Sequence, residues 1–599
     1  VRQAHVDMVM AKSSALAIIG SPRLKDPCRM SHRRCLVALI ALVLAGCSST
    51  PVPRAEPSPA QVVPLAAIQR PGGETPEWWF RTGAETAAAL RGEHAGTAKN
   101  VILFLGDGMG LSTIAAARIL EGQRQGASGE EQRLAFEEFP YTALVRTYEV
   151  DAQTPDSAGT MSAIMSGIKT RYGVVNMTQR VHRGDCPSAT GNAAMSALEL
   201  ASAAGLATGV VTTTRITDAT PATSYAHTVE RYWESDADMT AAARQQGCVD
   251  TARQLLESPS ASAIDVVLGG GRNRFLPKDV ADPEYPALHG TRLDGRNLIA
   301  EWQRAADSRF VWNAAQFQAL DAQKPGRVLG LFEPSHMQYH HDRASDGAGE
   351  PTLAEMTGKA IALLSHNPRG FFLVVESGRI DHASHAGNAF RALDETIVLS
   401  DAVRSAVNAT RAEDTLILVT ADHSHTLTMA GSPVRGNPIL GKVRSRNRDG
   451  SPAAELSKDA LGRSYTTLGY ANGPGNNGAT DAQAEGPKHF PHAPAQYVDG
   501  AVPRPQLEEV DTEHPDYLQE AGIPLRSETH AGEDVAAYAR GPGAQAVHGS
   551  IEQNVLFHVL VQANPPMRDL LCSMSACDSR QVPLELPKLD RLPAPGQRR

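Results

Sequence analysis

Three clusters of carboxylates and imidazoles in this chain each follow directly on a short apolar run. Asp107 stands in Gly106-Asp107-Gly108-Met109-Gly110, after residues 101–105. Glu376, Asp381, His382 and His385 follow residues 371–375, and Asp422, His423 and His425 follow residues 415–420. Runs of five or six apolar, β-branched residues read as strands buried on both faces of a parallel sheet. Open α/β sheets place ligand sites beyond the carboxyl ends of their strands. Three strands are thus expected to deliver oxygen and nitrogen donors to one edge, an arrangement that suits several metal ions.

Further strand-like runs lie at 208–214 and 265–268. Helical stretches alternate with them at 77–91, 111–123, 157–167, 193–204, 353–365 and 389–406. This order predicts an α/β fold, a mostly parallel central sheet flanked by helices on both faces. Between 431 and 526 Gly, Pro, Asn and Asp dominate, and that stretch reads as a surface insertion in a catalytic domain of 76–430 plus 527–580, with a tail at 581–599. Inside it, Gly473-x-Gly475-x-x-Gly478 imitates a dinucleotide fingerprint, but neither a preceding strand nor a following helix is expected. Residues 436–442 imitate a P-loop, yet contain Pro438 and continue into Val443 rather than Ser or Thr.

Hydrophobic residues at 42% and charged residues at 21% are globular values. The formal net charge is −9 with no basic stripe, so no nucleic-acid partner is expected. Residues 1–29 read as an extension from an early start codon. Met30 to Arg34 form a positive n-region, residues 35–45 a short apolar core, and Leu44-Ala45-Gly46-Cys47 resembles a bacterial lipobox. The expectation is an exported lipoprotein, periplasmic or at the cell surface, with lipid on Cys47, a tether over 47–75 and no other contact with the membrane. Cys186, Cys248, Cys572 and Cys577 remain as an even set in an oxidising compartment. Sequence allows three pairings; Cys186–Cys248 with Cys572–Cys577 is the favoured one.

Asp381-x-x-x-His385 puts two donors on one face of a helical turn, and Asp422-His423 adds two at a strand end. Carboxylate plus imidazole is a zinc donor set. In Thr154-Pro155-Asp156-Ser157, Pro155 and Asp156 open a helix whose N-terminus favours anions. Ser157 is a weak nucleophile unless its alkoxide is stabilised, and without a Gly-x-Ser-x-Gly elbow a metal is the expected activator.

These motifs resemble those of alkaline phosphatases, in the branch that includes the mammalian tissue enzymes. The matching stretches are 100–110 (NVILFLGDGMG), 155–159 (PDSAG), 212–215 (TTTR), 225–228 (YAHT) and 231–233 (RYW). They continue at 375–382 (VESGRIDH), 419–425 (VTADHSH) and 528–535 (ETHAGEDV), within a similarity running from about 76 to about 578. The resemblance implies hydrolysis of phosphate monoesters through a phosphoserine on Ser157, with Arg231 clamping the phosphoryl oxygens. It implies one zinc at Asp381, His385 and His530, a second at Asp107, Asp422 and His423, and magnesium at Asp107, Asp218, Thr220 and Glu376. It also implies a homodimer. A calcium site follows from it too, at Glu284, the backbone of Phe332, Glu333 and Glu350, and a crown-like domain where the insertion lies.

The chain departs from the mammalian pattern, which has His at Asp218 and Ser at Thr220. That pair resembles the enterobacterial form, whereas His382 follows the mammalian one, so the third metal site is a hybrid. The alternatives are a phosphodiesterase or another metallo-esterase of the same superfamily, and a phosphate- or metal-binding protein without turnover. A sulfatase would need a modification motif that is absent at position 157, a phosphodiesterase would usually lack Arg231, and an intact Ser157 argues for turnover.

Overall fold

The computed structural model describes residues 73–92, 96–324, 326–479, 490 and 504–594. The signal segment, Cys47 and the tether up to residue 72 lie outside them. The strands are β1 Asn100–Gly106, β2 Tyr141–Arg146, β3 Ala207–Arg215, β4 Val266–Gly270, β5 Ser308–Val311, β6 Arg327–Leu331, β7 Phe371–Ser377 and β8 Thr415–Ala421. After these come β9 Ser424–His425, β10 Leu427–Met429, β11 Leu468–Gly473, β12 Ala521–Pro524, β13 His530–Ala531, β14 Val535–Arg540 and β15 Gly549–Glu552.

Ten of them form one sheet in the order β15-β2-β14-β8-β1-β7-β3-β4-β6-β5. Only β14 runs against the others. The apolar runs at 101–105, 371–375 and 415–420 sit side by side as β8-β1-β7, and every residue of β7 and β8 is buried. Helices Leu111–Arg124, Leu353–Leu364 and Ala389–Ala409 pack together over β1, β3 and β7. Helices Ala197–Ala203, Ser157–Ser166, Val555–Ala563 and Pro76–Arg91 form the second layer. Covering both faces is what excludes polar residues from the central strands.

Both favoured disulfides are formed, Cys186–Cys248 and Cys572–Cys577. In the Gly- and Pro-rich stretch after 430, β11 pairs with β10 and β12 in a three-stranded sheet. One expectation is corrected there. A strand, β11, does lead into Gly473, although only a short 3-10 turn over Asn477–Ala479 follows. Among the described residues no helix is long and apolar enough to cross a membrane.

Candidate active site

The register of the central strands sets the site. Gly106 of β1 lies level with Ser377 of β7 and with Ala421 of β8. The residues just beyond, Asp107, the helix Arg379–His385, and Asp422 with His423, therefore emerge along one edge. The glycines around Asp107 are required by close approach. Gly108 has φ +69°, and a Cβ there would fall 2.3 Å from the His425 ring.

Asp381 is the hub of the first donor group. Its Oδ1 lies 3.4 Å from His385 Nε2 and 3.2 Å from His530 Nε2. His385 Nδ1 donates to the Glu528 carbonyl at 2.6 Å, and His530 Nδ1 to the Pro155 carbonyl at 2.8 Å. A carbonyl only accepts, so each Nδ1 carries its ring's proton and each Nε2 presents a lone pair. Those two Nε2 atoms face each other at 3.1 Å, a repulsive contact unless a cation lies between them. His425 joins the same group but is spoken for on both sides: Nε2 donates to Asp381 at 2.7 Å and Nδ1 to the Glu528 carboxylate. Burial alone would lower its pKa, but these two carboxylates lift it to about 10. It orients Asp381 rather than offering a lone pair.

The second group gathers around His423. Its Nε2 lies 3.4 Å from Asp107 Oδ1, 3.4 Å from Asp422 Oδ2 and 3.1 Å from Ser157 Oγ. Asp107 Oδ1, Asp422 Oδ2 and Glu376 Oε1 are buried and find no hydrogen-bond partner among the described residues. Burial, with the neighbouring carboxylates, pushes Glu376 up to about 8 and Asp422 up to about 6, and Asp107 well above the usual range. Orphaned, mutually repelling carboxylate oxygens beside inward-facing imidazoles fit bound cations.

Thr220 Oγ1 donates to Asp107 Oδ2 at 3.3 Å, which places the third expected group beside the second. Asp218 is more heavily engaged than the sequence suggests. It pairs with Arg215 at 3.2 Å and Arg231 at 3.5 Å, and forms a compact trio with His336 and His382. Burial opposes its ionisation, but these two guanidiniums outweigh it and hold its pKa below the usual value. His336 was not singled out from sequence. Its signal is weak, a short run at 328–331 followed by Glu333 and His336.

Ser157 is the first residue of the helix Ser157–Ser166, with Asp156 as the N-cap accepting from Gly159 N at 3.0 Å. Asp156 Oδ2 also accepts from Arg231 Nη1 at 2.9 Å. One carboxylate thus both starts the helix that presents Ser157 and aims Arg231 beside it.

A separate acidic cluster lies past the ends of β4 and β6. Glu284, Glu333 and Asp346 bring carboxylate oxygens within 4.8 Å of one another. Asp346 was not expected from sequence. Glu350 instead accepts from Gln338 N at 3.1 and 3.3 Å, and the Phe332 carbonyl accepts from Arg272 at 3.0 Å. Burial raises Glu284 and Glu333 to about 7 and Glu350 to about 9.

A sheet of this order, with a serine at a helix N-terminus beside clustered carboxylate and imidazole donors, fits a metal-dependent phosphoryl-transfer enzyme. The alkaline phosphatase family model matches residues 98–565. Tissue-nonspecific alkaline phosphatase from Gallus gallus is 43% identical over 498 residues, covering 82% of this chain and 89% of its own length. The Homo sapiens counterpart is 41% identical over 498 residues, covering 82% and 88%. Among solved structures, Thermus thermophilus alkaline phosphatase superposes with a TM-score of 0.54 at 22% identity, covering 80% of this chain and 94% of its own. The enzyme of the Antarctic bacterium TAB5 gives 0.51 at 21% identity, covering 78% and 99%. The chain belongs to the alkaline phosphatase family. It is a metal-dependent phosphoric monoester hydrolase.

Proposed function

We propose that the chain hydrolyses phosphate monoesters through a phosphoserine on Ser157. The carrying observation is Ser157 Oγ at a helix N-terminus, 3.1 Å from His423 Nε2, with Arg231 aimed alongside by Asp156. Asp381, His385 and His530 would hold one zinc, and Asp107, Asp422 and His423 a second. Asp107, Asp218, Thr220 and Glu376 would hold magnesium. When bound, the ions supply the positive charge that stabilises the attacking and departing oxygens.

The chain's own residues do the rest. Arg231 offers its N–H groups to the non-bridging oxygens, and the helix N-terminus adds its dipole. Ser157 Oγ gives its proton to water and bonds to phosphorus as the bond from phosphorus to the ester oxygen breaks in line, and the departing alkoxide takes a proton from water. A second water then attacks phosphorus, the Oγ–P bond breaks, and the proton that this water gives up passes to Oγ as phosphate leaves. His423 is not the general base in this reading, because Nε2 is its ligand atom.

Three further readings accompany this one. Glu284, Glu333 and Asp346, with the Phe332 carbonyl and Glu350, would hold a calcium ion of the all-oxygen kind. Lipid on Cys47 would anchor an exported protein, so Cys47→Ala should move it from the membrane to the soluble fraction. Two copies would form a homodimer, which sedimentation of the mature chain would reveal. The central test is hydrolysis of an aryl phosphate monoester, an aryl diester and an aryl sulfate, each with and without chelator. Chelator-sensitive turnover dominated by the monoester is expected; preference for the diester would overturn the reading.

A further inference from the structure

Two tyrosines next to the phosphoryl clamp stand out because they are aromatic, exposed and rigidly framed. Tyr172 keeps 42% and Tyr232 62% of its surface exposed. Scattered apolar side chains on a surface need no explanation, but these two are tied to one another and to Arg231. The Arg183 guanidinium lies 5.4 Å from the Tyr172 ring centre and 5.6 Å from that of Tyr232. Arg231 itself lies 5.5 Å from the Tyr232 ring.

The frame is built from short contacts. Arg183 is fixed by a two-pronged pair to Glu230 at 2.8 and 2.9 Å, and Glu230 also accepts from Tyr232 N at 3.2 Å. Arg183 lies over Gly173, where a Cβ would come within 2.3 Å of the guanidinium carbon. Gly173 donates its N–H to Asp156 at 3.0 Å, and its carbonyl accepts from Arg231 N at 2.9 Å. The rings are therefore set against the backbone that positions both Ser157 and Arg231. Ser157 is buried, so a leaving group larger than a few atoms has to extend toward solvent, and these two rings are exposed aromatic surface tied to the Arg231 clamp.

We propose that Tyr172 and Tyr232 form a leaving-group subsite for phosphate monoesters that carry a planar ring, nucleoside monophosphates among them. The inference rests on the phosphomonoesterase reading of Ser157 and Arg231. Stacking on an aromatic face tolerates any base, because every base has a π-face. The subsite therefore selects flat over non-flat esters without choosing one base. The bland alternative is that the rings only buttress Arg183, in which case they shape Arg231 and treat all esters alike.

The test compares adenosine 5′-monophosphate with ribose 5-phosphate on the zinc- and magnesium-loaded protein. Both lose phosphate from the same primary alkoxide, so Ser157 and the metals meet the same chemistry and only the base differs. The expected result is a kcat/KM ratio above one in the parent that falls by about fivefold or more in Tyr232→Ala, and also in Tyr172→Ala, the lower end of what a base–aromatic stack is worth. Tyr232→Phe keeps the ring and should keep the ratio. A parent ratio of one, a ratio untouched by either alanine, or a Phe variant that behaves like Ala would overturn the subsite. So would an equal loss on both esters together with weaker inhibition by inorganic phosphate, the mark of a mere buttress. A parent inactive on both esters would sink the phosphomonoesterase reading, and the subsite with it.

Discussion

The donor groups at the ends of β1, β7 and β8 and the acidic cluster past β4 and β6 are both crowds of buried carboxylates, but they are neutralised differently. In the acidic cluster a guanidinium is built in: Arg272 pairs with Asp282 at 2.7 Å and Glu284 at 2.9 Å. Burial raises the pKa values of Glu333 and Glu350 there, as it does those of Glu376, Asp422 and Asp107 at the strand ends, so the guanidinium is the difference. At the strand ends the groups nearest the orphaned oxygens are imidazoles whose Nε2 atoms face inward as lone pairs and bring no counter-charge. Arg231 and Arg215 are drawn off to Asp156, Asp218 and Glu234. The first cluster carries its own counter-charge; the orphaned oxygens of the second lack one and fit a bound cation.

That contrast sets a scale of expected effects. Stripping metal from the strand-end groups should lower phosphomonoesterase activity by on the order of a thousandfold or more, since metal charge is worth several kcal/mol in such transition states. Zinc plus magnesium should restore it, and full activity in metal-free protein would break the comparison. Arg231→Ala should cost about ten- to a hundredfold in kcat/KM, the worth of one charge-assisted clamp. Glu528→Gln removes the charge behind His425 and should weaken zinc binding by about ten- to a hundredfold, read by competition with a chelating dye.

Effects at the acidic cluster should be milder and confined to stability. Calcium at about a hundred times its Kd should stabilise the parent by about 2.7 kcal/mol and raise Tm by a few degrees. Glu333→Gln should lose that rise with turnover at low temperature little changed. A parent Tm indifferent to calcium would remove the ion from this site.

The smallest effect belongs to a region with no metal role. His227 donates to Glu199 at 3.1 Å and to the Asn176 carbonyl at 3.2 Å. Burial opposes its charge, but Glu199 prevails and raises its pKa above the ordinary value. A raised histidine pKa stabilises the fold fully below the unfolded value near 6.5, and that contribution is lost as pH rises through the folded one. The Tm deficit of His227→Gln should therefore be largest at mildly acidic pH and shrink into the alkaline range. A deficit that grows with pH would contradict the assignment.

The legible part of the molecule was its most buried part. β1, β3, β7 and β8 are runs of apolar and β-branched residues with both faces covered, so composition alone marks them. β2 alternates exposed and buried positions, and β14 is alanine-rich, so neither shows as an apolar run. β6 is short and carries Gly330, and β5 has a single fully buried residue. The same logic governs the site. Donors that directly follow a buried strand could be read from their position. His336 and Asp346 sit on connecting segments whose meeting with Asp218 or with Glu284 is a property of the fold. The role of Glu528 depends on β13 pairing with β9, residues 424–425 against 530–531, a contact no local pattern announces.

The most direct measurement is to trap the phosphoryl group. The zinc- and magnesium-loaded protein, quenched during turnover of a labelled monoester at mildly acidic pH and mapped by peptide sequencing, should carry phosphate on Ser157, and Ser157→Ala should carry none. Phosphate on another residue, or undiminished turnover in Ser157→Ala, would contradict the account.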